Sequence, residues 1–277
     1  MNNWPVGLST GCFYRRGLFE VLPDIAASGI SVIEICSYPA HLNFTDPKEV
    51  TAAAEAIRGH GLTPFSFHAP FAKGLDISAP DPGQREDSVQ RMLTAVEAAG
   101  VLGVQCLVIH PGPEIEGKAP AVEHRQRLQH AAQSLGRIAR AGAERGVQLV
   151  LENMLAHLRL GSTADLLWLM DRLKPWQPGF CLDTGHAHLA GNLAEMTALL
   201  PQQLRMVHAA DNHGVRDEHL APGQGGIDWP RLIAHLQAVP FAGTWILELA
   251  GDGQTRPTDL LAEALGARQL LATLLYG

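Results

Sequence analysis

The chain has 277 residues, 46% hydrophobic and 18% charged, with 21 Lys and Arg against 28 Asp and Glu for a formal net charge of −7. That composition excludes a disordered or fibrous chain, and the apolar runs are too short and too often interrupted to span a bilayer. The acidic balance argues against broad attraction to nucleic acid or to an anionic membrane, which would require many phosphates to be neutralised.

At the start of the chain, Met1 to Pro5 carries no basic patch and no following apolar run. No export signal is read there, and a cytoplasmic protein is expected. Eight short apolar runs with strand character follow in order: Val6 to Ser9, Ser31 to Cys36, Thr63 to His68, Gln105 to His110, Gln148 to Glu152, Gly179 to Asp183, Arg205 to His208 and Thr244 to Leu249. Helical patterns separate them. Asp81-Pro82 opens one over Pro82 to Ala99, and Leu128, Leu135 and Ile138 recur at helical spacing within Val122 to Glu144. Ser162 with Asp165 forms a carboxylate variant of the capping box, and Gly29, Gly61, Gly103 and Gly146 stand where a helix stops before a strand. The four cysteines, Cys12, Cys36, Cys106 and Cys181, show no C-x-x-C spacing and fall in or beside the apolar runs, which predicts buried reduced thiols.

Strand–helix alternation repeated eight times implies a parallel sheet, and eight units favour closure, so the expected fold is α/β, a single (β/α)8 TIM barrel forming one domain over residues 1–277. The rival is an open doubly wound sheet. It wants a G-x-G-x-x-G turn after the first strand, which Gly7 and Gly11 do not supply.

In such a barrel the chemistry gathers at the carboxyl ends of the strands. Those ends carry His68, His110, Glu152, Asp183 with His186 three residues on, His208 and Glu248, and the loop after the seventh strand adds Asp217 and His219. A single histidine after an apolar strand is most often a hydrogen-bonded core residue. Five imidazoles and four carboxylates converging on one mouth are different, because their charges need compensating cations in a partly dry site. Mixed His and Asp/Glu ligation suits Zn²⁺, Mn²⁺ or Fe²⁺, and no thiolate is placed to favour a structural zinc.

These residues resemble the xylose isomerase-like TIM-barrel superfamily, which includes the sugar isomerases and epimerases and the endonuclease IV type of abasic-site nuclease. The resemblance implies that Glu152, Asp183, His208 and Glu248 are the metal-binding set of the epimerases, with Glu152 and Glu248 exchanging the substrate proton. It implies that His68, His110, His186, Asp217 and His219 match the further ligands of the nuclease's three-zinc centre. His-Ala-Pro-Phe, His-Pro-Gly and Gly-Phe-Cys-Leu-Asp-Thr-Gly-His are close to that enzyme's motifs. There are departures: Gly185 stands where the nuclease has Cys, Ala210-Asp211 replaces Asn-Asp, and Ser37 to His41 lacks the arginine-bearing segment that enters DNA.

Two chemistries therefore stay open. The first is isomerisation or epimerisation of a small sugar or sugar phosphate, with one divalent ion (Zn²⁺ or Mn²⁺) stabilising an enediolate, Glu152 and Glu248 as the acid/base pair, and His186 on a substrate oxygen. Arg216, Arg256 or Lys73 would hold a substrate anion. The second is phosphoester hydrolysis at a centre of two or three zinc ions, which uses all nine ligands, on abasic DNA or a small phosphoester. The ligand count favours the second, but the loops after the second and seventh strands and the acidic charge favour the first, so a metal-dependent sugar isomerase or epimerase is the expected enzyme and the phosphodiesterase its alternative. A catalytically silent metal-binding barrel is the third, non-enzyme reading. Glu34 faces inward on the second strand, where it could orient a ligand or a water, and Asp211 and Asn212 fit either a support for His208 or an ordinary turn. His41, His157, His188 and His213 are expected to be solvated loop residues, and His60, His124, His130 and His235 surface residues of helices. Phe13, Tyr14, Phe71 and Trp229 are expected to pack loops rather than wall a pocket.

Overall fold

Period-two patterning decides which side chains enter the barrel. The computed structural model describes residues 4–276; Met1 to Asn3, part of the segment read for an export signal, lie outside the described residues. Among the described residues the strands are β1 (Val6–Ser9), β2 (Val32–Cys36), β3 (Thr63–His68), β4 (Cys106–Ile109), β5 (Gln148–Glu152), β6 (Gly179–Asp183), β7 (Leu204–Ala209) and β8 (Thr244–Leu247). All neighbours pair in parallel, and β1 closes on β8 through Val6 opposite Trp245 and Leu8 opposite Leu247. The expected closed (β/α)8 barrel is the observed one.

The helices are α1 (Leu18–Ala27), α2 (Pro47–Gly59), α3 (Pro82–Leu102), α4 (Ala121–Ala143), α5 (Thr163–Arg172), α6 (Thr184–Leu189), α7 (Leu193–Leu199), α8 (Trp229–Gln237) and α9 (Pro257–Tyr276). Asp81 caps α3 by accepting from the Gln84 N–H, and α3 runs past Ala99 to Leu102, where Gly103 at φ +75° ends it. The capping box at α5 forms by half: Ser162 Oγ accepts from the Asp165 N–H, while the Asp165 carboxylate accepts from the Ser162 hydroxyl and pairs with His124.

Two apolar layers result. The larger lies between strands and helices, and each fully buried Leu, Ile or Phe there contributes roughly 1.5–3 kcal/mol. The smaller fills the lumen with Phe65, Cys106, Val108, Val150, Cys181, Met206 and Ile246. Continuing the alternation by two residues gives His110 after Val108, Glu152 after Val150, Asp183 after Cys181, His208 after Met206 and Glu248 after Ile246. The polar set therefore stands directly above a dry floor. His110 and Glu248 sit one residue beyond their strands, which end at Ile109 and Leu247. All four cysteines are free; Cys12, Cys106 and Cys181 are buried, but Cys36 is only half-buried and lines the barrel mouth. Among the described residues no helix is long and apolar enough to cross a membrane.

Candidate metal centre

All nine singled-out residues meet at the carboxyl end of the barrel. The Glu152 carboxylate lies at the middle: Oε2 is 3.3 Å from His68 Nε2 and 3.1 Å from His110 Nε2, and Oε1 is 3.4 Å from His208 Nδ1 and 3.7 Å from His186 Nδ1. His208 Nδ1 is also 3.2 Å from Glu248 Oε2. Asp217 Oδ2 joins His186 Nε2 at 3.2 Å and His219 Nε2 at 3.0 Å, and Asp183 Oδ1 lies 3.6 Å from His186 Nδ1.

These atoms are close without being hydrogen-bonded to one another in every case. Among the described residues, His110 Nδ1 and Nε2, Glu152 Oε2, Asp183 Oδ2, His208 Nδ1, Asp217 Oδ1 and Glu248 Oε2 are buried with no hydrogen-bond partner. Leaving so many polar atoms unsatisfied costs about 1–3 kcal/mol apiece. Atoms aimed past one another at a shared point fit divalent ions. Three groups bring their donor atoms within 4.8 Å of one another: Glu152, Asp183, His208 and Glu248; His68, Glu152 and His208; and His186, Asp217 and His219. His110 stands beside the second group through Glu152. The donor set, imidazole and carboxylate with no thiolate, suits Zn²⁺ or Mn²⁺.

The electrostatics agree with that fit. Burial pushes the Asp183 carboxyl up to about 7, with His186 opposing the rise and the negative Glu152 and Glu248 adding to it. Burial alone would lower the imidazoles of His68 and His219, but Glu152 holds His68 at about 9, and Asp217 with Glu248 holds His219 at about 10. His186 and His208 are raised well above the ordinary histidine value against the same burial, by Asp183 for the first and by Cys181 and Glu34 for the second. His110 is lowered, chiefly by burial. Glu152 is held far below the usual carboxylate range, because His110 and His208 outweigh its burial. Protons on imidazoles thus stand where cations would balance the carboxylates.

Several supporting residues carry no motif. Asn153 grips Asp183 from both sides, donating Nδ2 to its carbonyl (3.0 Å) and accepting its N–H (2.8 Å), and the Asn153 carbonyl accepts from His186 Nδ1 at 2.8 Å. Its place one residue after Glu152 was the available signal. Glu34, fully buried, accepts from the Ser9 hydroxyl (3.0 Å), the Ser66 hydroxyl (2.8 Å) and His208 Nε2 (3.0 Å), so His208 presents Nδ1 to the centre. The Asp211 carboxylate, also buried, accepts from backbone N–H groups of its own loop.

Other expectations need correction. His41 is buried and not solvated, with Nδ1 against the Arg16 carbonyl and Nε2 against Thr10. Arg216 and Arg256 are exposed and paired with Glu218 and Asp259, so neither is set to hold a substrate anion. His130 and His124 are half-buried rather than free on the surface, His130 bonding the Ala79 carbonyl ahead of α3 and His124 the Asp165 carboxylate of α5, and His188 is half-buried near Gly226. Phe13 and Trp229 are buried in the core and do not wall a pocket, whereas Phe71, expected to pack a loop, lies 4.2 Å from the His110 ring and does wall the site. A cavity of about 250 Å³ sits over the centre between Phe71, Met154, Leu155 and Leu158. Beside it a larger one of about 810 Å³ opens past His68 and Glu248 towards Tyr38, Lys73 and Arg91.

Comparison with known proteins bears on this arrangement. Probable endonuclease 4 of Mycobacterium marinum is 26% identical over 261 residues, covering 90% of this chain and 96% of that one. A D-tagatose 3-epimerase-like protein superposes with a TM-score of 0.82 at 24% identity, covering 98% of this chain and 97% of that one. The IolI protein with a binding zinc atom superposes at 0.84 with 16% identity, over 99% of this chain and 100% of that one. A family model matches residues 22–272, and the chain belongs to the xylose isomerase-like TIM barrel family.

Proposed function

We propose that the protein is a divalent-metal-dependent hydrolase of small phosphoesters. One observation carries this reading: the donor atoms fall into three groups, two that share Glu152 and His208 and a third, of His186, Asp217 and His219, that shares no residue with them. The first group would hold one ion, His68 and Glu152 with His110 alongside a second, and His186, Asp217 and His219 a third. Bound divalent ions would supply positive charge against developing phosphoryl oxyanions and make water acidic enough to attack at neutral pH. The chain's own residues do the rest. Asn153 and Glu34 hold Asp183 and His208 in the geometry described. Phe71, Met154, Leu155 and Leu158 limit water over the centre. Lys73 and Arg91 line the outer cavity, where an anionic end of the substrate would lie.

A small substrate fits better than a duplex. The outer cavity of about 810 Å³ has the size of a pocket for a small organic molecule. The loop after β2, which carries Tyr38, has no arginine from Ser37 to His41, and the chain is acidic.

One feature favours a second reading, metal-assisted epimerisation of a small sugar. Glu152 and Glu248 both approach His208 Nδ1, at 3.4 and 3.2 Å, so two carboxylates flank one ion position, as an acid/base pair would. The two readings separate on one preparation. The hydrolase is expected to retain two or three ions per chain and to cleave a chromogenic aryl phosphodiester. A single ion per chain, no phosphoester cleavage, and exchange of solvent deuterium into a ketose would establish the second reading instead.

A further inference from the structure

We propose that Asp211 is the positioning residue that folds the loop bearing Asp217 and His219, which makes the third ligand group a separable part of the centre. This rests on the reading that the three groups hold ions. Six of the other ligands stand at strand ends or one residue beyond them, and His186 stands in the first turn of α6. Asp217 and His219 come instead from the segment between β7 and α8, which has an isolated bridge, Asp211 with Leu220, and no strand or helix of its own.

That segment is wrapped around one carboxylate. Asp211 is fully buried. Its Oδ1 accepts from the N–H groups of Asn212 (2.9 Å) and Ile227 (3.1 Å), and its Oδ2 from the Gly223 N–H (3.0 Å) and Trp229 Nε1 (2.8 Å). Its backbone exchanges two further bonds with Leu220, the residue after His219. The packing leaves no room for an alternative: a Cβ on Gly225 would lie 2.4 Å from Asp211 Oδ1 and 2.6 Å from the Asn212 carbonyl oxygen. Asn212 extends the tie to the third ligand, because its Nδ2 donates to the carbonyl of Gly185, next to His186, at 3.0 Å.

The loop also holds His219 in a conformation it would not adopt alone. His219 has φ +47°, a left-handed backbone that costs a non-glycine residue about 1–2 kcal/mol. The Ala250 N–H donates to its carbonyl (2.9 Å) and its Nδ1 bonds the Glu248 carbonyl (3.0 Å), which keeps its Nε2 beside Asp217. None of these contacts reaches the side chain of His68, His110, Glu152 or Asp183, and Glu248 is met only at its backbone carbonyl. Removing the Asp211 charge should therefore empty the third group and spare the others.

The test is a metal titration of the full chain by competition with a chromogenic chelator, repeated with Co²⁺ and read by its d–d absorption. The proteins are wild type, Asp211→Asn, Gly225→Ala and Trp229→Phe. Asp211→Asn and Gly225→Ala, one electrostatic and one steric route into the same loop, are expected to bind one ion fewer, or to bind the weakest one roughly 10–100-fold less tightly, with the remaining steps at wild-type affinity. Trp229→Phe removes one of the four donors and should weaken the same step less. Wild-type affinities at every step in the first two variants would overturn the proposal while leaving the proposed function standing. Loss of all ions from chains whose circular dichroism is still that of the barrel would overturn it as well. A wild type that binds one ion or none would remove both.

Discussion

Glu34 and His208 show how a buried carboxylate dictates a ligand's chemistry from behind. With His208 Nε2 engaged by Glu34 at 3.0 Å, only Nδ1 is left for the centre. Glu34→Gln is expected to lower metal affinity about 10–100-fold with the barrel intact, measured by chelator competition; an unchanged affinity would show that His208 needs no such partner. The titrating groups give a second residue-scale expectation. Asp183 is raised in the folded chain from 3.8 to about 7, so its contribution to metal-free stability is full below 3.8 and fades as pH rises through about 7. His68, His186, His208 and His219 are also raised above 6.5, so the stability they give the metal-free chain is full below 6.5 and fades as pH rises above it; His110 and His41 are lowered and oppose this. Five groups outweigh two. The metal-free protein should melt at lower temperature as pH is raised from about 6 to about 8, while metal affinity climbs because each ion displaces protons. A melting temperature that rises over this interval would contradict the charge assignments. The nine polar residues were legible because a charged side chain closing an apolar run is visible in the linear order. Asn153 was not, and Asp211 was read only as a support for His208 or an ordinary turn, since both act mainly on backbone groups brought near by folding; His41 misled because its partners, Thr10 and the Arg16 carbonyl, lie far from it in the chain.

At the scale of elements, strand parity explains the centre better than any motif does. A residue two positions above a lumen side chain must also point inward, and this turns five ligands, at or just past the ends of β4, β5, β6, β7 and β8, into the barrel mouth. The eight strands were readable from their apolar runs, with ends displaced by one or two residues where the ladder stops before the polar residue. Loops were less readable. The segment between β3 and α3 carries Lys73 at the outer cavity, and it is anchored by the buried Asp76, which Arg127 of α4 reaches at 2.7 Å while also bonding Glu123. Nothing in the spacing of residues 76 and 127 announces that pair. Breaking it with Arg127→Ala leaves Asp76 buried without its charge partner, its other oxygen still bonded by Ser78, so unfolding free energy should fall by about 3 kcal/mol in a denaturant titration. Metal content should not change, because neither residue approaches the ligand groups; a concurrent loss of ions would tie this loop to the centre.

Over the whole molecule, architecture was fixed by a repeating pattern and reaction type was not. Eight alternations leave little choice but closure, whereas the same barrel supports proton transfer on a sugar and water attack on phosphorus. What divides the two is how many ions the mouth holds, a property of donor atoms from widely separated positions. The proposed centre is one in which Glu152 would serve two ion positions and His186, Asp217 and His219 would hold a third. It is tested most directly by anomalous diffraction at the metal edge on crystals of protein purified without chelator. The account predicts separate anomalous peaks at two or three positions, with Glu152 touching two of them; a single peak, or none, would contradict it.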